Sequence, residues 1–535
     1  MNKLIDFSLP YVKKLLKTLL KDRTTGNNII FATDAYENAT FTTEMKAAML
    51  YNDTIDIRPR VSKSMEEQAL RTRKKAEVFT PSWICNKMNN HCDTEWFGYE
   101  NIFNIEQDHE WISTEGRIAF PDGKSWKDYV DSKRLEITCG EAPYLVSRYD
   151  TTTGKMIPIH HRIGILDRKL RIINENTQTH KTWNQWVYRA FESVYGYEYQ
   201  GDNLLIARIN LLETFCEYTR DRWHEEPTDS SLKRIADIIS WNLWQMDGIH
   251  GVVPYKGGIF EAEENEPHQM TMFEMMEIVD ELEAEAALPN TMDCKIYDWR
   301  EDKSVTYKSM RGKVMKFDFV IGNPPYQQES ESSKSKSNGQ KPMTNIFHYF
   351  QQQADEISEE SSVMIYPGGR WIHQSGKGVK EFGKKQINDP TLSTVEFYPD
   401  ASDVFGRAAS LSDGVTIVTK KKRNTGNGFN YIYNKNGQEI RVHAEYPGDK
   451  LMPLNPFDLP IMQKVDKVVD NNGWKFLHEA ILPRSLFAIE SDFAEKNPDK
   501  VKLFDGQNVD YSKGEIKLFT NDKAGKAGRA TWFVA

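Results

Sequence analysis

The sequence predicts an α/β domain built on a largely parallel sheet, preceded by a helical N-terminal segment and followed by a smaller C-terminal region. Three observations predict it. Between about 61 and 425, short β-rich runs alternate with amphipathic stretches, the pattern of strands joined by crossover helices. The 535 residues are 39% hydrophobic and 12% aromatic, enough to bury a large core and to exclude wholesale disorder. No apolar run approaches the roughly 20 residues that cross a bilayer, so the chain reads as cytoplasmic, with no membrane partner.

The elements follow in chain order. Residues 1–69 read as helical, because MNKLIDFSLPYVKKLLKTLL sets lysines among its apolar positions at helical spacing, unlike a signal peptide. Residues 70–445 form the α/β domain. Its strands are expected at Arg134–Thr138, Val194–Tyr199, Ile239–Met246, Phe317–Gly322, Ser362–Tyr366, Ser393–Tyr398 and Gly414–Thr419. A helix over Asn203–Tyr218 puts Leu204, Leu205, Ile209, Leu212 and Phe215 on one face. The polar run Gln327–Lys341 reads as a flexible loop. From 446 to 535, short apolar runs are broken by Pro, Gly and Asn, as in a second, smaller domain. It stops at the strand-like TWFVA, where truncation is expected. The five cysteines, Cys85, Cys92, Cys139, Cys216 and Cys294, form no CxxC pair; neither a disulfide framework nor a metal site is indicated, and a reducing compartment fits.

Net charge is −9, which by itself argues against a nucleic-acid partner. That charge is local. Glu261 to Glu285 carries ten carboxylates and no Lys or Arg, so without it the rest stands at +1. The segment, within an acidic insertion over 250–292, reads as a solvated helix facing away from any polyanion. Basic clusters at Arg71–Lys75, Lys377–Lys385 and Lys420–Arg423 permit contacts with phosphate.

Chemistry concentrates in FDFVIGNPPYQ, Phe317–Gln327. A buried strand delivers an Asn-Pro-Pro-Tyr turn at its carboxyl end, where ligands sit in open α/β sheets. Pro324 and Pro325 stiffen the turn and remove two backbone donors. What remains is a pair of acceptors, the Asn323 side-chain oxygen and the Pro324 carbonyl, suited to an NH2 group with two protons to donate. Tyr326 adds an aromatic face for stacking on a planar base or amide.

FDFVIGNPPYQ resembles the catalytic motif of amino-group methyltransferases that use S-adenosylmethionine, with Asn323, Pro324, Pro325 and Tyr326 in the matching places. Flanking motifs agree. RLEITCGEAPYL, Arg134–Leu145, resembles the cofactor strand and turn of TaqI-type adenine methylases through Glu136, Cys139, Pro143, Tyr144 and Leu145, with Gly140 the one glycine of the turn and Ala142 at a usual glycine. The resemblance implies that turn amides receive the cofactor's polar tail and that Glu136 meets its amino group. Glu198, in SVYGYEYQGDN, matches the acid that holds ribose hydroxyls. Two acids compete for the cofactor's adenine: Asp247, favoured, and Asp298. KKAEVFTPSWICNKM resembles the segment that packs a helix over the cofactor's methionine part, with Thr80 and Pro81 matching; Thr80 also reads as a helix cap and Pro81 as the first helical residue. Phe405 matches an aromatic that stacks on an extruded base.

The order of these motifs resembles the gamma group of N6-adenine DNA methyltransferases of type II restriction–modification systems, over about 70–425. It implies a Rossmann-like, S-adenosylmethionine-dependent sheet, double-stranded DNA as substrate, an adenine extruded for site-specific methylation, and target recognition by 446–535. It further implies a separate restriction endonuclease partner. Two alternatives share the motif: a bifunctional restriction–methylation enzyme and a methyltransferase acting on protein glutamine. Only about 70 residues precede the Thr80–Pro81 segment, without a convincing PD-(D/E)xK nuclease pattern, which disfavours the first. The long region beyond the core disfavours the second. A DNA-binding module without catalysis is the remaining reading.

Overall fold

Nine strands form one sheet at the centre of the first of two compact units, Met1–Pro456 and Phe457–Ala535, in the computed structural model. The structure describes residues 3–51, 55–68, 71, 79–254, 292–310, 312, 315–329, 343–375, 378–406, 411–424, 426–475, 502–503, 517–520 and 531–534. The sheet strands are β1 (Arg134–Ile137), β2 (Val194–Glu198), β3 (Leu243–Gln245), β4 (Phe317–Gly322) and β5 (Ser358–Pro367). After them come β6 (Leu392–Tyr398), β7 (Val415–Lys421), β8 (Gly428–Lys435) and β9 (Gln438–Glu445). Their order is β9-β8-β6-β7-β5-β4-β1-β2-β3. Strands β3, β2, β1, β4 and β5 run parallel, and β7 lies antiparallel between β5 and β6. This is a Rossmann-like sheet whose strand order reverses at β1 and β4, the switch point where such sheets open a crevice at their carboxyl edge.

Strand β4 is threaded between β1 and β5 and is buried along nearly its whole length. Gly322 faces Ile137 across the ladder, and a Cβ there would come within 2.6 Å of Ile137 Cγ1 and 2.7 Å of its carbonyl oxygen. No other residue fits without pushing β1 and β4 apart.

The N-terminal segment is less helical than its lysine spacing suggests. Among its described residues, beyond helix α1 (Pro10–Leu19), a five-residue turn of helix at Ala47–Tyr51, a short one at Arg60–Ser62 and a helical run over 65–68, it is irregular chain. Tertiary contacts override propensity here, because this chain closes the open edge of β3. The buried Gln245 side chain accepts from Ile30 N at 2.9 Å and donates to Ile30 O at 2.8 Å, imitating a ladder pair, and donates to Tyr199 O at 2.9 Å. Alongside, Gly201 N donates to Phe31 O, and a Cβ on Gly201 would overlap the Ile30 carbonyl. Arg208, buried in helix α2 (Gly201–Trp223), donates to the carbonyls of Leu19, Lys21 and Leu243 at 2.6–3.0 Å. It joins the end of α1 to β3, and burial brings its pKa down to about 10.

Two expectations change. Ile239–Asn242 is the last turn of helix α3 (Asp229–Asn242), leaving β3 only three residues. The apolar run there is shared by a helix face and a buried strand, which periodicity cannot divide. The β8–β9 hairpin extends the sheet beyond the expected seventh strand, turning at Asn436 and Gly437 with φ of 52° and 73°. Of the expected loop, Gln327–Glu329 pairs with Met343–Asn345, and the rest lies outside the described residues, as does Glu261–Glu285. The second unit contains helix α4 (Leu459–Asn472) and a three-stranded antiparallel sheet with Thr531–Val534 in the middle. Among the described residues no helix is long and apolar enough to cross a membrane.

Replacing Gln245 with Leu keeps volume but leaves Ile30 N–H, Ile30 C=O and Tyr199 C=O without this partner. Urea unfolding is expected to show a loss of about 2–4 kcal/mol, and limited proteolysis to release the first 50 or so residues sooner.

Candidate active site

Asn323 follows β4 directly, half-buried at the carboxyl edge, with Pro324 buried behind it. Its side chain and its main chain are each held. Asn323 Nδ2 donates to Thr80 Oγ1 at 3.0 Å, and the Thr138 hydroxyl shares its one proton between Ile137 O at 2.7 Å and Asn323 O at 3.2 Å. The turn after β1 and the segment before the next helix thus converge on one asparagine. Tyr326 is buried at 5% exposure, which pushes its phenol far up, offset in part by the Asn323 amide beside it.

The turn after β1 is tightly wound, with Thr138, Gly140 and Ala142 at φ of 47°, 54° and 64°. Ala142 therefore occupies a left-handed position that favours glycine. Gly140 N donates to Glu198 Oε2 at 2.8 Å, and Cys139 N to Tyr197 O at 2.8 Å, fastening the turn to the end of β2. Cys139 is buried with its sulfur against Gly196, beneath the turn and not on its open side. Glu198 also accepts from Gln200 N at 3.0 Å, so its carboxylate ends β2 between two amides.

Glu136 lies near the end of β1. It is 1% exposed and accepts from Leu145 N at 3.0 Å, propping the turn from within. Burial raises its pKa well above the usual carboxylate range, with Glu198 adding to the rise and the Leu145 and Tyr144 amides opposing it.

Asp247 and Asp298 lie far apart in the fold. Asp247 stands just past β3, and its neighbour Met246 donates to Glu198 O, so the two acids end adjacent strands. Asp247 Oδ1 accepts from Ile249 N and Oδ2 contacts His250 Nδ1, both at 2.9 Å; this contact raises the His250 pKa. Asp298 ends a separate ribbon and lines a small hollow with Asp131, Lys133, Ser193 and Tyr195, which lead into β1 and β2. That is the amino edge of the sheet, opposite Asn323.

Helix α5 spans Ser82–Phe97, with Pro81 as its cap residue. Thr80 is therefore not the cap. Ser82 N donates to Asp150 Oδ2 at 2.8 Å, and the Thr80 hydroxyl is turned to Asn323. Phe405 is buried in the loop after β6, at the same carboxyl edge, within the main hydrophobic core. Thr138 and His250 carry no role on sequence grounds. A hydroxyl or ring directly past a strand end is the signal that marks both.

Residues 192–405 match a family model described as Eco57I restriction-modification methylase. That range runs from just before β2, through Asn323–Tyr326, to Phe405. No curated protein matches the chain. Among solved structures, a modification subunit of a putative type I restriction enzyme from Vibrio vulnificus is similar at 12% identity and a TM-score of 0.33, over 80% of this chain and 63% of that one. A type I restriction-modification methyltransferase subunit from Streptococcus thermophilus is similar at 12% identity and a TM-score of 0.29, over 79% and 61%. The Type ISP restriction-modification enzyme LlaGI is similar at 11% identity and a TM-score of 0.36, over 82% and 31%. The matches thus span less than two thirds of the length of each of these chains.

The state of Glu136 has a pH signature. Its folded pKa lies above the unfolded value of 4.5, so between the two the folded chain keeps a proton that the unfolded chain has lost. This group's contribution to stability therefore falls as pH rises through that window. Glu136→Gln is expected to melt higher than the parent at pH 8, with the difference shrinking toward pH 5. The opposite order would mean a charged Glu136.

Proposed function

We propose that the chain is a site-specific DNA methyltransferase of a restriction–modification system, acting on the N6 amino group of adenine with S-adenosylmethionine as cofactor. The observation that carries this reading is the Asn323–Pro324 turn at the carboxyl end of β4, beside the switch point, with the Asn323 amide nitrogen on Thr80. The match of residues 192–405 to the restriction-modification methylase family supports it.

Two acceptors suit an exocyclic amino group. Asn323 Oδ1 and the Pro324 carbonyl accept hydrogen bonds from its two N–H groups, and the nitrogen lone pair turns out of conjugation with the ring. Inside a duplex that group is out of reach, so the adenine is extruded. Tyr326 stacks on the extruded base and Phe405 is its second aromatic neighbour. S-adenosylmethionine, when bound, supplies an electrophilic methyl group. The residues present fit it. Glu198 holds its ribose hydroxyls and Asp247 its adenine amine, the two acids ending adjacent strands at the carboxyl edge. The turn over Thr138–Ala142 and the Thr80–Pro81 segment border its methionine part. Holding base and cofactor side by side supplies much of the acceleration. Residues 446–535 read the DNA sequence, and a separate endonuclease provides cleavage.

Asn323→Ala removes one acceptor and leaves the Glu198 and Asp247 carboxylates in place. Methyl transfer from tritiated S-adenosylmethionine to duplex DNA is expected to fall by about 10²–10³-fold, with cofactor affinity changed little. Undiminished transfer would overturn the mechanism.

A further inference from the structure

Extruding an adenine leaves a gap in one strand's stack and, opposite the gap, a thymine that has lost its partner. Both needs can be met from a short ribbon beside the catalytic turn. We propose that the ribbon formed by Gln327–Glu329 and Met343–Asn345 enters the duplex at the vacated position, with Met343 filling the gap and the Gln327–Asn345 amide pair bonding the thymine. This role rests on the reading of Asn323–Tyr326 as the site that receives the extruded adenine.

The ribbon continues the turn. Gln327 follows Tyr326 directly, and Ile346 N donates to Tyr326 O at 3.0 Å, so the residue read as stacking on the base is tied to both strands. The two strands pair antiparallel, Gln327 opposite Asn345 and Glu329 opposite Met343, and among the described residues they join no other sheet. A two-stranded ribbon is narrow enough for the major groove of DNA. Side chains alternate along a strand, so Gln327, Asn345 and Met343 share one face, with Met343 about 7 Å beyond Asn345. That face is not built as a core: Gln327 is exposed, and the apolar Met343 is 44% exposed. Methionine is one of the side chains that proteins wedge between base steps, and its unbranched stem adapts to an irregular gap. At the base of the ribbon, Gln327 Nε2 donates to Asn345 Oδ1 at 3.1 Å. If both amides were turned end for end, the outcome would be the same. One gives a proton and the other takes it, and the pair keeps one carbonyl oxygen and one NH2 group for a ligand. The pairing edge of thymine, an N–H between two carbonyl oxygens, complements that set.

The test measures single-turnover methyl transfer by the full chain to a duplex with one target adenine, its position taken from sequencing the modified bases of a plasmid treated with the wild type. The same strand is also annealed to a complement with an abasic site opposite that adenine, which leaves no thymine to bond and less pairing to break. On the paired duplex, the double variant Gln327→Ala, Asn345→Ala should be slower by roughly tenfold, and opposite the abasic site it should come within about threefold of wild type. Met343→Ala should also lose roughly tenfold on the paired duplex, and Met343→Leu, which keeps an apolar wedge, should stay within about threefold. Calorimetry should give each variant a Kd for S-adenosylmethionine within about twofold of wild type, because the ribbon lies outside the cofactor's crevice. A full rate in the amide variant on the paired duplex overturns the role, and so does an equal loss on both duplexes. Met343→Ala at full rate, or Met343→Leu as slow as Met343→Ala, overturns the wedge. A loss that follows the cofactor Kd overturns both. No methyl transfer to adenine by the wild type overturns the reading of Asn323–Tyr326 and this role with it. Transfer by the wild type beside fully active ribbon variants overturns this role alone.

Discussion

The contact on which the rest depends is the passage of β4 between β1 and β5 at Gly322. The strands are so close there that a Cβ would strike Ile137, and the chain emerges one residue later as Asn323. A polar group delivered from the buried centre of a sheet has no choice of position. Its freedom is then reduced further by two hydroxyls from other segments, Thr138 on the carbonyl and Thr80 on the amide nitrogen. Preorganisation of this kind is what a reaction on an amino group requires, because acceptors already in place need no rearrangement as the proton density shifts.

Burial assigns different tasks to two neighbouring acids. Glu136 and Glu198 end adjacent strands, and both accept backbone amides of the turn after β1 or its flank. Glu136 lies under that turn, and desolvation dominates, pushing its pKa up while it braces the loop. Glu198 lies beside it and accepts two backbone amides, from Gly140 and Gln200. The two side chains make the turn rigid from below and from the side. Farther out, Gln245 and Arg208 perform the same service for the edge of the sheet, satisfying carbonyls that an irregular N-terminal segment would otherwise leave buried and alone.

Much of this was legible in the sequence wherever one residue type admits one explanation. An apolar run ending in Asn-Pro-Pro-Tyr marked β4 and its turn, and six of the seven expected strands overlap the observed ones closely. The exception, Ile239–Met246, fails because one apolar run serves a helix end and a strand. The β8–β9 hairpin was not read, although Asn436-Gly437, the pair that type I′ turns favour, stands at its turn. Side-chain direction was not legible. Nothing in RLEITCG tells whether Glu136 points under or over its turn, and Thr80 reads equally well as a cap. The choice between Asp247 and Asp298 depended on which sheet edge each reaches, a matter of topology that spacing alone does not carry.

The central claim is that this crevice receives the amino group of adenine in DNA. The measurement closest to it is the identity of the modified nucleoside. Duplex DNA incubated with the chain and methyl-labelled S-adenosylmethionine, then digested and separated by liquid chromatography and mass spectrometry, should carry the label as N6-methyl-2′-deoxyadenosine. Label on cytosine, or on protein glutamine with none in DNA, would contradict the account.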